Sequence, residues 1–328
     1  MKKIVAIVLE AVMLVSAICL GGCSAERPSP DDDGVLRIVC TVFPAYDFCR
    51  ELTRGLPDGS VELILLGRNG KDMHSYEPSA ADIVELARAD LLVCVGGGSE
   101  AWVDATLEAA DNHGLRVFYM MDACDTTEET HAEGEICEDH DHDHDHGEGA
   151  GDEHVWVSLR RAEQIVAALC DEIAELAENG AQVATCRENA DAYRAALLGL
   201  DKQYEEMVHG APRSTVLIAD RYPFAYLMND YHIDCVAAFP GCSTETSASF
   251  ATQTMLVETV ETHALPYIFV IDGTDSMVAT MISERTGAEI LRLSSGQVVT
   301  DTQLREGVTY LSMAEENLQN LKKALYEA

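Results

Sequence analysis

Short apolar runs alternate with amphipathic stretches along most of this chain. Leu36 to Phe43 is β-branched and apolar and stops at Pro44, which predicts a strand, with a helix over Tyr46 to Leu52. Val61 to Leu66 predicts a second strand. Ser79 with Asp82 three residues later is a helix start, and Ile83, Leu86 and Ala87 give that helix a buried face. Leu91 to Val95 predicts a third strand, Gly96-Gly97-Gly98-Ser99-Glu100 a turn into a helix carrying Trp102, and Val117 to Met121 a fourth strand.

Two helical stretches follow. Val157 to Ala177 places Ile165, Leu169 and Ile173 on one stripe. After the break at Asn179-Gly180, Gln182 to Met207 puts Tyr193, Leu197, Leu200, Tyr204 and Met207 on one continuous apolar face. A second strand–helix series then begins. Strands are predicted over Thr215 to Ala219, Cys235 to Phe239, Tyr267 to Ile271 and Ile290 to Leu293. Helices are predicted over Phe224 to Asp230, Phe250 to His263, Met277 to Thr286 and Thr302 to Tyr326.

Strands that alternate with helices indicate wound parallel sheets. The pattern occurs twice, once on each side of the long helix. The expected fold is therefore α/β, with two lobes of parallel sheet flanked by helices and one long connector helix between them. The expected boundaries are 35–180 for the first lobe, 181–209 for the connector and 210–328 for the second lobe.

Charge changes this picture in one place. The formal net charge is −35, and 14 acidic residues but no Lys or Arg fall between Asp122 and Glu153. That balance repels nucleic acid and anionic membrane surfaces and attracts cations. Within the run, His140, His142, His144 and His146 alternate with aspartates, and His154 leads back into apolar sequence. Imidazole and carboxylate are ligands for borderline divalent metals, above all zinc. The alternating part cannot be packed, because every residue in it would need desolvating. It is expected to be a solvated auxiliary loop, over 122–153, that collects metal weakly.

The N-terminus looks like a targeting segment. Lys2 and Lys3 precede the mostly apolar run Ile4 to Leu20, and Leu20-Gly21-Gly22-Cys23 resembles the lipobox of bacterial lipoproteins. That resemblance implies a signal peptide over 1–22, lipid on Cys23 and a tether over 23–34, hence an extracytoplasmic, lipid-anchored chain. The nine cysteines after Cys23 include no CxxC pair. Cys40, Cys94 and Cys170 lie in apolar runs, where they behave as small hydrophobes, so mostly free thiols are expected. A Cys235–Cys242 pairing stays open.

Ligands of open parallel sheets bind outside the carboxyl ends of the strands. His74, Asp220, Arg221, Asp272 and Asp275 fall in such strand-to-helix connections, and His154 ends the acidic loop. Two imidazoles with one or two carboxylates suit zinc, or manganese with harder ligands. Each residue also has an ordinary explanation: His74 could cap a turn, and Asp275 could cap the helix at Met277. His113, His209, His232 and His263 read as surface residues. The glycine run is neither GxGxxG nor a P-loop, and Val270 stands where a phosphatase motif would need its first aspartate.

His74-Ser-Tyr-Glu-Pro-Ser79, Val95-Gly-Gly-Gly-Ser-Glu-Ala-Trp102 and Asp152-Glu-His154-Val-Trp156, with the connector helix and the strand ending near Asp275, resemble the cluster A-I, ZnuA-like metal-binding lipoproteins of bacterial ABC transporters. The resemblance implies metal bound between two lobes and handed to a membrane permease with its cytoplasmic ATPase. It implies capture by a monomer, not catalysis. It matches His74 and His154 to the family's first two histidine ligands and Asp275, or else Asp272, to the late acidic one. The third ligand, usually histidine in zinc members, falls at Arg221, which cannot ligate. Asp220 or Glu245 would substitute, or water. The His/Asp-rich loop favours Zn2+ over Mn2+ as cargo. An exported zinc metallohydrolase, with Glu77 as base, and a metal-buffering adhesin are the rival readings. Proton competition for imidazole predicts that affinity falls as pH drops through roughly 6.5.

Overall fold

The computed structural model describes residues 33–67, 72–127, 151–177, 179–241 and 248–327. The predicted signal segment 1–22, Cys23, most of the tether, His140, His142, His144, His146, Cys242 and Glu245 lie outside the described residues.

The first sheet has β1 (Leu36–Cys40), β2 (Val61–Leu65), β3 (Leu91–Cys94) and β4 (Arg116–Tyr119), all parallel, in the order β2-β1-β3-β4. The second has β5 (Thr215–Tyr222), β6 (Asp234–Pro240), β7 (Tyr267–Ile271) and β8 (Glu289–Leu293), also parallel, in the order β6-β5-β7-β8. Strand order reverses between β1 and β3, and again between β5 and β7. Such switch points open a crevice beyond the carboxyl ends of the strands. Asp220 and Asp272 lie at the ends of β5 and β7, the strands on either side of the second switch point, whereas His74 follows the edge strand β2.

Helices α1 (Phe43–Leu52), α2 (Ala80–Arg88) and α3 (Trp102–Ala110) connect the first sheet. Pro44 does not merely end β1; it occupies the first turn of α1, where its missing N–H costs nothing. Ser79 and Asp82 form a reciprocal capping box at the start of α2. Helices α4 (Leu159–Leu176) and α5 (Gly180–His209) make an antiparallel hairpin between the two sheets in sequence. Asn179, read as a break, caps α5 by accepting from the Ala181 and Gln182 amides. Ile165, Leu169 and Ile173 on α4 are buried, as are Tyr193, Leu197, Leu200, Tyr204 and Met207 on α5. Burial of each such side chain is worth roughly 1.5–3 kcal/mol.

The second sheet carries α6 (Ala225–Asp230), α7 (Phe250–His263), α8 (Met277–Thr286), α9 (Asp301–Arg305) and α10 (Tyr310–Tyr326). The single closing helix expected from Thr302 is thus two helices. Gly307, at φ +79°, breaks the run, and Thr309 starts α10 with its own capping box. Cys40, Cys49, Cys94, Cys124, Cys170 and Cys186 are free thiols. Cys242, considered above for Cys235, is not among the described residues.

Helix α10 belongs to the second half of the chain but is fastened to the first. Its Tyr310 amide donates to Asp47 Oδ2 on α1 at 2.6 Å, and Arg50, which pairs with Asp47, donates to the Val308 carbonyl at 3.0 Å. Asp47 is fully buried, and burial pushes its carboxyl up to about 6 despite Arg50 and the Tyr310 amide. The folded state therefore binds a proton more tightly than the unfolded chain between about pH 4 and pH 6. Stability from this group falls as pH rises through that window. Urea unfolding of wild type and Asp47→Asn at pH 7.5, 6 and 5 should show wild type gaining on the variant by about 1.4 kcal/mol per pH unit below 6. A pH-independent difference would remove Asp47 as the titrating group.

Candidate metal centre

His74 lies in a short 3-10 turn, Met73–Ser75, on the β2-to-β3 connection, started by Asp72, whose carboxylate accepts the His74 amide. His154 lies between the acidic loop and the 3-10 turn Val155–Val157. The two histidines are far apart in sequence, yet His74 Nε2 and His154 Nε2 are 3.2 Å apart. His154 is 1% exposed. Two ring nitrogens facing one another at that distance are a ready pair of metal donors.

The outer ring nitrogens are held as well. His154 Nδ1 lies 2.9 Å from Asp152 Oδ1, which also accepts the His154 amide. His74 Nδ1 lies 2.6 Å from Ser99 Oγ. Ligating histidines characteristically have their second nitrogen fixed in this way. Burial, and then the neighbouring His154, lower the His74 pKa to about 4. Proton competition at this ligand thus begins well below the 6.5 expected for a free imidazole.

The second half of the chain closes over this pair. Arg221 at the end of β5 forms a 2.7 Å ion pair with Asp72, and Gln297 Nε2 donates to Asp72 Oδ1 at 2.8 Å. A Cβ added to Gly241, at the end of β6, would lie 3.6 Å from His154 Cε1. The guanidinium of Arg221 thus belongs to the closure of the cleft, holding Asp72 beside the His74 turn.

The predicted carboxylates behave differently from the histidines. Asp220 accepts from the Ile271 amide at 3.4 Å and from the Thr274 hydroxyl, tying β5 to the end of β7. Asp272 accepts from the Ser295 amide at 2.7 Å and from the Ser294 hydroxyl at 3.1 Å, and burial raises its pKa. Both are engaged in fastening loops. Asp275 is exposed, and Ser276, not Asp275, caps α8. No group of three or more His, Cys, Asp and Glu side chains with metal-ligand geometry occurs among the described residues. His113, His209, His232 and His263 are all exposed.

Three residues of this centre were not singled out from sequence: Asp152, Glu153 and Ser99. Each sits inside a motif quoted above. An acid two residues before a histidine, and a serine on a glycine turn, were the available signals. Glu153 packs on the Gly97–Ser99 turn, its Oε1 accepting the Ser99 amide at 2.9 Å. Gly97 has φ +109°, and a Cβ there would lie 2.7 Å from Glu153 Cγ. The glycine run is therefore a seat for this carboxylate, where backbone freedom and absence of a side chain are both needed.

Two wound lobes with a histidine pair in the cleft between them define a two-lobed solute-binding protein of the metal-binding kind. Residues 38–324 match the family described as zinc-uptake complex component A, periplasmic, and the chain belongs to that family. It is 28% identical over 323 residues to the "High-affinity zinc uptake system protein ZnuA" of Bacillus subtilis, spanning 97% of this chain and 96% of that protein. It is 29% identical over 320 residues to the "Zinc-binding lipoprotein AdcA" of Streptococcus pneumoniae, spanning 95% of this chain but 60% of that longer relative. The Zn(II)-bound ZnuA-like domain of that AdcA superposes with a TM-score of 0.70 at 26% identity, covering 89% of this chain and 99% of the domain. The laminin-binding protein Lmb of Streptococcus agalactiae has the same fold, with a TM-score of 0.72 at 19% identity and coverage of 88% of this chain and 99% of Lmb.

Proposed function

We propose that this chain captures Zn2+ outside the cytoplasm and delivers it to an ABC importer made of a membrane permease and its ATPase. The observation that carries this is the pairing of half-buried His74 with buried His154, with both Nε2 atoms turned toward one another and both Nδ1 atoms occupied. Imidazole-rich, partly desolvated sites suit zinc better than manganese, which prefers oxygen. The relatives named for zinc support the same cargo. The remaining donors are Asp275 or Glu245, or water. Asp220 and Asp272 are reserved for loop fastening.

In this reading the lipid anchor at Cys23 keeps the monomer beside its permease. His140, His142, His144 and His146 form an auxiliary collecting segment. Capture without catalysis is the mechanism of this reading. Calorimetry of the metal-free full chain with zinc and with manganese tests the proposal. One tight zinc site, additional weaker zinc sites and weaker binding of manganese are expected. Zinc-dependent ester or peptide hydrolysis lost in His74→Ala would instead establish the metallohydrolase.

A further inference from the structure

The α4–α5 hairpin carries a pair of thiols that the metal centre does not use. Cys170 lies as far before Leu176, the last residue of α4, as Cys186 lies after Gly180, the first of α5. Equal distance from the tip sets two positions opposite one another in an antiparallel hairpin. The two Sγ atoms are accordingly 3.5 Å apart, and the residues are 4% and 1% exposed. A covalent bond needs the sulfurs about 1.5 Å closer. Room for that shift exists, because a cavity beside the pair is lined by Cys186, Ile173, Leu36, Leu56 and Val61.

Cys40 on β1 and Cys49 on α1 also approach one another, with Sγ atoms 3.9 Å apart. Both are fully buried, and burial raises the Cys40 thiol. The hairpin pair differs. The hydrogen bond with Cys186 holds the Cys170 thiol below its ordinary value, and Arg187 acts in the same sense, while the same bond and burial raise Cys186. The thiolate is the nucleophile in disulfide exchange. Cys170 is therefore the attacking member and Cys186 the one that closes the bond.

We propose that Cys170 and Cys186 are a redox pair that closes to a disulfide outside the cytoplasm, with a low-molecular-weight disulfide as oxidant, and staples the α4–α5 hairpin. The periplasmic family to which the chain belongs works where disulfides form and persist. Cys170 loses its proton and its sulfur attacks one sulfur of the oxidant, which breaks the oxidant's S–S bond and leaves a mixed disulfide and one thiolate. Cys186 then loses its proton and attacks Cys170 Sγ, expelling the second thiolate. Two cysteine thiols are oxidised by two electrons, the oxidant is reduced to two thiols, and these take up the two protons. One turn beyond Cys186, Asn189 Nδ2 donates to the Leu52 and Arg54 carbonyls at 3.0 and 2.7 Å. The staple thus fixes the hairpin next to the place where α5 is tied to the end of α1.

The inference rests on the chain's place outside the cytoplasm and not on the metal it carries, and the test keeps the two apart. The full chain is purified with reductant, exposed in its folded, metal-free state to oxidised glutathione, and mapped by digestion without reductant and mass spectrometry. A Cys170–Cys186 cross-link that dithiothreitol reverses is expected as the first disulfide. Urea unfolding should give the oxidised chain a folding equilibrium constant about 100-fold above that of the reduced chain, the gain that closing a loop of this length brings. Cys170→Ser and Cys186→Ser should each lose the cross-link and the gain. Cys186→Ser should also accumulate glutathione on Cys170, since no second thiol expels it. Absence of the cross-link in folded wild type would overturn the pair even if both variants proved unstable. Earlier closure of Cys40–Cys49 or Cys49–Cys186 would overturn it too, and a cross-link without a gain in stability would overturn the staple. Zinc titration of the reduced chain tests capture separately: its failure would sink the functional reading and leave the cross-link standing.

Discussion

The His74→Ala, His154→Ala double variant is expected to lose the tight zinc site, with affinity falling by more than ~100-fold, beyond what loss of a supporting partner alone costs. The two Nε2 atoms are the only imidazole donors brought together among the described residues. Removing both leaves carboxylates already committed elsewhere: Asp72 to Arg221 and Gln297, Asp220 to β7, and Asp272 to the Ser294–Ser295 turn. Calorimetric zinc titration measures the effect, and the weak sites assigned to His140 through His146 should persist in the variant. Retention of a tight site in the double variant would move the metal centre elsewhere.

The companion experiment removes the auxiliary loop and asks whether the tight site survives. Its endpoints need care. The Thr127 carbonyl accepts the Asp152 amide at 2.9 Å, and Tyr226 from the second half donates to the Asp152 carbonyl at 2.8 Å. Asp152 in turn orients His154. A cut that took the whole stretch from Thr126 to Gly151 would unpin this base and so disturb the tight site indirectly. A deletion kept between Thr127 and Gly151 leaves the base closed. That variant should lose the weak sites and keep the tight one.

Much of this was legible in the chain, and the reasons differ by feature. The alternation of strands and helices and the buried stripe of the long helix follow from periodicity, which burial enforces residue by residue. The closing helix was misread as one because its apolar spacing continues across Gly307; the break is set by a single left-handed residue. His74 and His154 stood out because imidazole in a strand-to-helix connection is uncommon and sits where crevices form. The carboxylates were harder. From sequence, Asp220, Asp272 and Asp275 are equivalent acids after strand ends. Only the neighbours distinguish them: a threonine and a backbone amide occupy Asp220, and two serines and an amide occupy Asp272. Ser99 and Glu153 were hidden for the same reason, since their roles exist only once residues distant in sequence are in contact. Arg221 shows the converse. By resemblance it displaced a ligand, whereas in space it completes an ion pair that closes the cleft.

The largest loss of stability is expected from Trp156→Ala, and its cause also explains how the site is kept in register with the second lobe. Trp156 is fully buried. Its indole N–H donates to the Ser295 carbonyl at 2.7 Å, and its own carbonyl accepts from Tyr310 at 2.6 Å. Both partners come from the second half of the chain, and Ser295 is held there by Asp272. On the other side the ring lies 5.5 Å, centroid to centroid, from His154. Truncation to alanine leaves a cavity and strips the Ser295 carbonyl of its donor, at a cost of about 3–5 kcal/mol. Trp156→Phe keeps most of the volume and loses the hydrogen bond, so it should cost about 1–3 kcal/mol. Urea unfolding of the metal-free chain measures both. If Phe were as damaging as Ala, the hydrogen bond to Ser295 would be the dominant element; if Phe were neutral, the ring's packing alone would join the lobes. In the intermediate case, zinc affinity of Trp156→Phe should fall less than its stability does, because His154 keeps Asp152 and the Tyr226-anchored loop base even when the link to Ser295 is gone.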